Sequence, residues 1–177
     1  MKISYHVMSA PAPLGLIFLA LTERGLRYAE FMDRKSIKRI IASHDADSPG
    51  ATWEASLLKL KPVVDQFEAY FCGALANFEL PLDPVGSPFQ IDAWNALRSI
   101  PFGETRTYGE IARRIGAPGS ARAVGRACAT NQAAGVIPCH RAVGASGGLT
   151  GYRWGVARKE RLLAAERLAE ERRRSNT

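Results

Sequence analysis

The chain has 177 residues, 46% hydrophobic and 23% charged, the makeup of an ordinary globular protein with length for one or two small domains. Three cysteines (Cys72, Cys128 and Cys139) without a CxxC pair argue against a disulfide framework or structural zinc site and fit a reducing, cytoplasmic setting. The apolar run at 14–21 is too short to span a bilayer, and no signal peptide is expected.

The net charge of +7 is unevenly placed: residues 1–85 hold 9 basic and 10 acidic side chains, whereas residues 86–177 hold 15 and 7. That asymmetry fits a polyanion-binding module joined to a neutral domain, or a solvated basic surface with a charged tail at Arg172, Arg173 and Arg174.

In chain order, residues 2–8, 14–21 and 25–31 read as strands, with Glu23, Arg24 and Gly25 turning between the last two. Residues 35–43 suit a short helix, and a longer one is expected from Thr52 to Phe71 with a kink or boundary at Pro62. Gly73, Pro81, Pro84, Gly86 and Pro88 mark a linker. The fold class expected is therefore α+β. A small N-terminal α/β domain with a short antiparallel sheet (1–85) precedes a mostly helical, helix-turn-helix, winged-helix-like C-terminal domain (86–177).

Residues 88–99 place Phe89, Ile91, Trp94 and Leu97 at helical spacing. Thr107 with Glu110 forms a capping box opening a helix that ends at Gly116, and Ser120 is the expected N-cap of a second helix running to Thr130. Helix, glycine-containing turn, helix is the helix-turn-helix pattern, which many helical hairpins that never touch nucleic acid also show. The second helix is nearly smooth, and its long cations Arg122 and Arg126 stand four apart on one face. Such a helix can enter a groove of DNA or pack closely on another helix; the basic pair favours the groove.

Ile137-Pro138-Cys139-His140-Arg141 carries the chemistry, because a thiol is a strong nucleophile only as thiolate and a nearby base or cation promotes that form. Adjacent residues of a strand point to opposite faces, so a bridging water and an orienting carboxylate, from Glu160 or Glu166, would complete a relay. The alternative is a buried structural cysteine beside a surface histidine.

This segment, preceded by Asn131 and the RAVG helix and followed by GYRWG and a KERLL helix, closely resembles the O6-alkylguanine-DNA alkyltransferase family in its bacterial form, without gaps from Tyr108 to Glu166. The first half resembles it only in length and in its strand-then-helix order. The resemblance implies suicidal transfer of an alkyl group from O6-alkylguanine, and possibly from O4-alkylthymine, in double-stranded DNA to Cys139. The protein would act as a monomer, with no cofactor and no metal. It implies that His140 acts through a water as base, that Glu166 orients it, and that Asn131 caps the turn leading to Cys139. Arg122 would enter the base stack, with Arg126 beside it on the DNA face, and Tyr108 would press on a phosphate and help rotate the nucleotide. Carbonyls of Cys139 and Ala142 would read the guanine amine, while Tyr152 and Arg153 would line the pocket and assist the leaving oxygen.

Some positions depart from the family. Arg153 stands where animal members have a small hydroxyl residue, Ala134 replaces a pocket-wall proline of some members, and His6, His44 and Cys72 do not reproduce the zinc set of animal members. Cys72 and Cys128 read as packing residues. A transcription factor would leave Asn131, Cys139, His140 and Glu166 without a role, an alkyltransferase-like lesion binder would lack Cys139, and a cysteine hydrolase would need an oxyanion glycine motif.

Overall fold

The computed structural model describes residues 1–32, 37–44 and 46–175. Strands β1 (Lys2–Ser9), β2 (Leu16–Thr22), β3 (Gly25–Met32) and β4 (Thr52–Ala55) form one sheet in the order β3-β2-β1-β4. The first three are antiparallel, whereas β4 runs parallel to β1, pairing Ile3 with Trp53. Helix α1 (Ile37–Ser43) covers part of the expected 35–43 helix; residues 35 and 36 lie outside the described residues.

The helix expected from Thr52 starts later, as α2 (Leu57–Phe71). Residues 52–55 are taken by the sheet because Trp53 packs its ring against Tyr5, Phe18 and Tyr28, at centroid distances of 6.5, 6.2 and 6.0 Å. Tertiary packing overrides the local helical pattern there. Ser56 then caps α2 by accepting from the Lys59 N–H, and Pro62 sits within the helix without ending it.

Side chains alternate across β2. Phe18 and Ala20 join Ile3, Tyr28 and Ile40 in a small core on one face. Ile17 and Leu19 face α2, where Leu60, Val63, Phe67 and Tyr70 repeat at helical spacing. That second core continues without a break into the C-terminal half through Trp94, Leu97, Ile111, Val124, Ile137 and Leu162.

Beyond the proline-rich stretch, α3 (Pro88–Arg98) opens with a capping box between Ser87 and Gln90. Strand β5 (Arg106–Thr107) pairs in parallel with β6 (Ala142–Val143), and the Thr107–Glu110 box opens α4 (Tyr108–Arg114) as expected. Helix α5 (Ala121–Ala129) follows, but Ser120 makes no side-chain cap; its φ of −88° and ψ of 26° lie outside the extended region a capping residue uses. A 3-10 turn holds Cys139–Arg141, and α6 (Val156–Ser175) follows, carrying the KERLL segment. No helix among the described residues is long and apolar enough to cross a membrane.

The proline-rich stretch closes tightly on the start of β3 at Gly25, whose φ is +142°, and a Cβ there would lie 2.3 Å from the Pro81 carbonyl oxygen. Backbone strain and a backbone clash would act together. Gly25→Ala is expected to lower stability in urea unfolding by about 3 kcal/mol or more. Gly119→Ala, at φ +86° in open space, should cost only about 1 kcal/mol; equal losses would overturn this account.

Candidate active site and nucleic-acid interface

Helices α4 and α5 frame a cavity of about 820 Å³. Arg122 and Arg126 are exposed on the outer face of α5 and line its mouth, with Gly125 and Ala129 leaving the helix surface low between them. Val124, Ala127 and Cys128 turn inward, although Cys128 also reaches the cavity wall. Tyr108, Tyr152, Arg153 and Cys139 line the same space, and Ala145 lines it where Ala142 does not.

Cys139 is buried and sits in the 3-10 turn rather than in a strand. Asn131 fixes that turn: its Oδ1 accepts from the Ala133 N–H at 2.9 Å, which leaves Nδ2 to donate to the Ile137 carbonyl at 2.9 Å and to the Cys139 Sγ at 3.1 Å. Burial pushes the Cys139 thiol up to about 11, against the opposing pull of the Asn131 donor and the Lys159 charge. A thiol held there is protonated at pH 7, and forming the thiolate would cost about 5 kcal/mol unless a base takes the proton.

His140 belongs to the same turn. It is fully buried, and desolvation holds its imidazole below the ordinary histidine range, outweighing the pull of Glu166. Its Nε2 donates to Glu166 Oε1 at 2.7 Å, while Nδ1 is buried with no protein partner among the described residues. The free lone pair is therefore at Nδ1, the nitrogen left for a water or a proton.

Glu166 collects donors from four residues. Oε1 accepts from Tyr70 at 2.7 Å, His140 at 2.7 Å and Arg141 Nη2 at 2.9 Å; Oε2 accepts from Arg141 Nε at 3.0 Å and the Gly103 N–H at 3.1 Å. Burial alone would raise its pKa, but His140 and Arg141 together hold the carboxyl well below the usual range. Arg141 also donates to the Ile100 carbonyl at 2.7 Å.

Tyr70 and Lys159 are parts of the site that the sequence reading did not single out, and Arg141 was named there only as the end of the reactive segment. Lys159 is fully buried and donates to the carbonyls of Ala142 at 2.6 Å, Gly151 at 3.3 Å and Thr150 at 3.5 Å. A signal was present, since Lys159, Leu162, Leu163 and Glu166 share one helical face, and a lysine on an apolar stripe needs partners. Tyr108 donates its hydroxyl to the Thr150 carbonyl at 3.1 Å. Ala142 is buried, pairs with Arg106 in the small sheet, and offers its carbonyl to Lys159.

The wall formed by 150–155 is anchored to the N-terminal sheet. Arg153 donates to Glu30 on β3 at 2.7 Å and lies over the Trp154 ring, which itself meets Phe31 edge-on at 6.2 Å. The Tyr152 hydroxyl is buried without a partner among the described residues. Cys72 is exposed at the end of α2 and so is not the packing residue expected; its thiol donates to the Ala69 carbonyl at 3.3 Å. No group of three or more His, Cys, Asp or Glu placed to hold a metal occurs among the described residues.

Two family models match the chain. One, described as 6-O-methylguanine DNA methyltransferase, DNA binding domain, matches residues 88–168; the other, the ribonuclease-like domain of the same protein, matches 3–84. A methylated-DNA–protein-cysteine methyltransferase of Methanosarcina acetivorans is 46% identical over 155 residues, covering 88% of this chain and 94% of the relative. One of Mycolicibacterium paratuberculosis is also 46% identical, over 88% of each chain. The crystal structure of the Mycobacterium tuberculosis O6-methylguanine methyltransferase superposes with a TM-score of 0.80 at 40% identity, covering 94% of both chains. A structure of that organism's protein in complex with DNA superposes at 0.77 and 39% identity, covering 96% of this chain and 94% of that one.

The depressed Glu166 pKa has a consequence for stability. A carboxyl whose folded value lies below its unfolded one stabilises the fold above the unfolded value, and that stability is lost as pH falls through the acid range. Glu166→Gln should lower Tm at pH 7 by roughly 10 °C, as expected for a broken buried ion pair. The gap should narrow as pH drops below about 4.5. A gap independent of pH in thermal melts would show that the charge of Glu166 is not what holds these segments.

Proposed function

The chain belongs to the methylated-DNA–protein-cysteine methyltransferase family, and on that footing we propose that Cys139 takes the alkyl group from O6-alkylguanine in double-stranded DNA. The protein repairs DNA by direct reversal of damage, in a single irreversible event per molecule. The observation that carries the assignment to Cys139 is its place on the cavity wall, with Asn131 on its sulfur and an imidazole beside it whose Nε2 proton is committed to Glu166.

The thiol proton passes through one bridging water to His140 Nδ1, and the positive charge that develops is balanced by Glu166. The thiolate attacks the carbon bonded to O6; the S–C bond forms, the C–O bond breaks, and guanine leaves with the proton restored to it. The thioether has neither a nucleophilic lone pair of use nor a good leaving group, so the site is spent. A reacting carbon inside a duplex is out of reach, and the nucleotide must be turned into the pocket.

The basic face of α5 suits that task. Arg122 fills the gap in the base stack, Arg126 and the positive C-terminal half hold phosphates, and Tyr108 supports the rotated nucleotide. Tyr152 and Arg153 stand beside the departing oxygen. The Cys139 carbonyl accepts from the Ala142 N–H and keeps a second lone pair for the guanine amine; the Ala142 carbonyl, taken by Lys159 behind the cavity lining, would need the loop to shift before it could read that amine.

The same reading takes 1–85 and 86–177 as the two domains, supported by the proline-rich stretch between them. It takes the protein to work as a monomer without a cofactor. Three free thiols fit a reducing cytoplasm.

Mixing the protein with duplex carrying one O6-methylguanine should add one methylene per molecule, on Cys139 and not on Cys72 or Cys128, with no second turnover. Cys139→Ser should keep DNA affinity and lose transfer. Peptide mass spectrometry that placed the label on another cysteine, or a rate sustained beyond one equivalent, would sink the assignment. Arg122→Ala should slow repair of duplex by about tenfold or more while leaving reaction with free O6-benzylguanine within about twofold, because the free base needs no extrusion. Equal losses on both substrates would place Arg122 in the fold or pocket instead.

A further inference from the structure

Tyr70 lies in α2, in the half of the chain far from Cys139 in sequence, yet its hydroxyl ends in the reactive cluster. It is 2.7 Å from Glu166 Oε1 and 3.4 Å from His140 Nε2, and it is buried among Phe71, Phe78 and Phe102 at centroid distances of 5.6, 5.1 and 6.1 Å. The packing fixes the ring, but a phenylalanine would pack as well; the hydroxyl needs a separate reason. Burial, reinforced by the neighbouring carboxylate, holds the Tyr70 hydroxyl well above its ordinary range, so it remains a donor at every working pH.

We propose that Tyr70 is a positioning residue for the alkyl transfer assigned above to Cys139: by donating to Glu166 Oε1 it moderates that oxygen, so that His140 stays neutral with its Nε2 proton toward Glu166 and its Nδ1 free. The inference rests on that assignment. Oε1 is the oxygen His140 uses, and it is shared between His140, Tyr70 and Arg141, whereas Oε2 serves Arg141 and Gly103. Every donor on Oε1 spreads its negative charge and weakens its hold on an imidazolium. Without the Tyr70 hydroxyl, Oε1 would stabilise protonated His140 more strongly, and a protonated His140 cannot take the thiol proton.

The charged and titratable groups around His140 come from three further directions. Glu166 and Lys159 project from α6, Arg141 and Cys139 flank it in the turn, and Tyr152, in the loop before α6, faces Cys139, Tyr70 and Glu166 of the same cluster. Arg141 and Lys159 oppose a positive imidazole and Glu166 favours it, so the balance is set by few groups. Tyr70 is brought by the N-terminal half.

The test uses the full chain and free O6-benzylguanine, which removes DNA affinity from the measurement. Tyr70→Phe should shift the acid limb of the pH–rate profile upward by about 0.5 to 1 pH unit, the order of one hydrogen bond to a charged group. On the acid side of that limb transfer should fall by about three- to tenfold, while the rate near pH 8.5 stays within about twofold. Phe78→Leu, which loosens the same aromatic cluster without touching a hydroxyl, should lower Tm and leave the limb in place. In the unaltered protein, nitrogen NMR of His140 should show the Nε2-protonated tautomer at neutral pH, a readout that does not require any variant to fold. An unshifted limb in folded Tyr70→Phe, a limb shifted equally by Phe78→Leu, or an Nδ1-protonated His140 would overturn the proposal. Absence of any transfer to Cys139 in the unaltered protein would instead overturn the assignment on which it rests.

Discussion

The Glu166 carboxylate is buried from water, and the cost of burying it is met by donors drawn from distant parts of the chain. Tyr70 arrives from α2, Gly103 from the loop after α3, and His140 and Arg141 from the 3-10 turn, while Glu166 itself is fixed on α6. An unpaired charge in such a place costs several kcal/mol, so the cluster is stable only when all these segments are present together. Assembly of the fold and assembly of the reactive site are thus one event. The position of the imidazole, and with it the proposed route of the thiol proton, follows from how this one charge is satisfied.

The same logic explains why the N-terminal half accompanies a site made mostly from the C-terminal half. One core runs from the sheet through α2 to Trp94, Val124 and Cys139. Around it, polar ties cross between the halves: Arg153 to Glu30, and Arg158 to the Leu14 carbonyl at 2.9 Å. These hold the loop at 150–155, which has little regular structure of its own and forms one wall of the cavity. A loop with few internal hydrogen bonds keeps its shape only where its neighbours define it.

Local chemistry was legible in the sequence; partnerships between distant segments were not. The Thr107–Glu110 box reads directly because both its bonds close within four residues. Cys139 and His140 stand out because reactive residue types sit side by side. Thr52 to Ala55 misled, since its helical spacing was overruled by pairing with β1, more than forty residues away in sequence. Ser120 misled in the opposite sense, having the right residue type but backbone angles that turn its side chain from the task. Tyr70 went unnoticed because it sits at a position where an apolar residue would raise no question, and Lys159 because a lysine on an apolar stripe shows that it needs partners without showing which. Only the third dimension shows the carboxylate beside one and the carbonyls beside the other.

Cys139 is 2% exposed, at the base of a cavity whose sulfur ligand, base and wall are all held from behind. For a catalyst that must release product and begin again, so enclosed a nucleophile would be a handicap. For the single-use acceptor proposed at Cys139 it is not, because nothing has to leave the sulfur. Each molecule then behaves as a one-bit memory, blank or marked, and the marked fraction of the population is a running tally of the lesions met since those molecules were made. Repair capacity in such a system is limited by the supply of blank molecules rather than by a turnover number. A cell holding this protein therefore carries a dosimeter whose reading is erased only by synthesis and dilution.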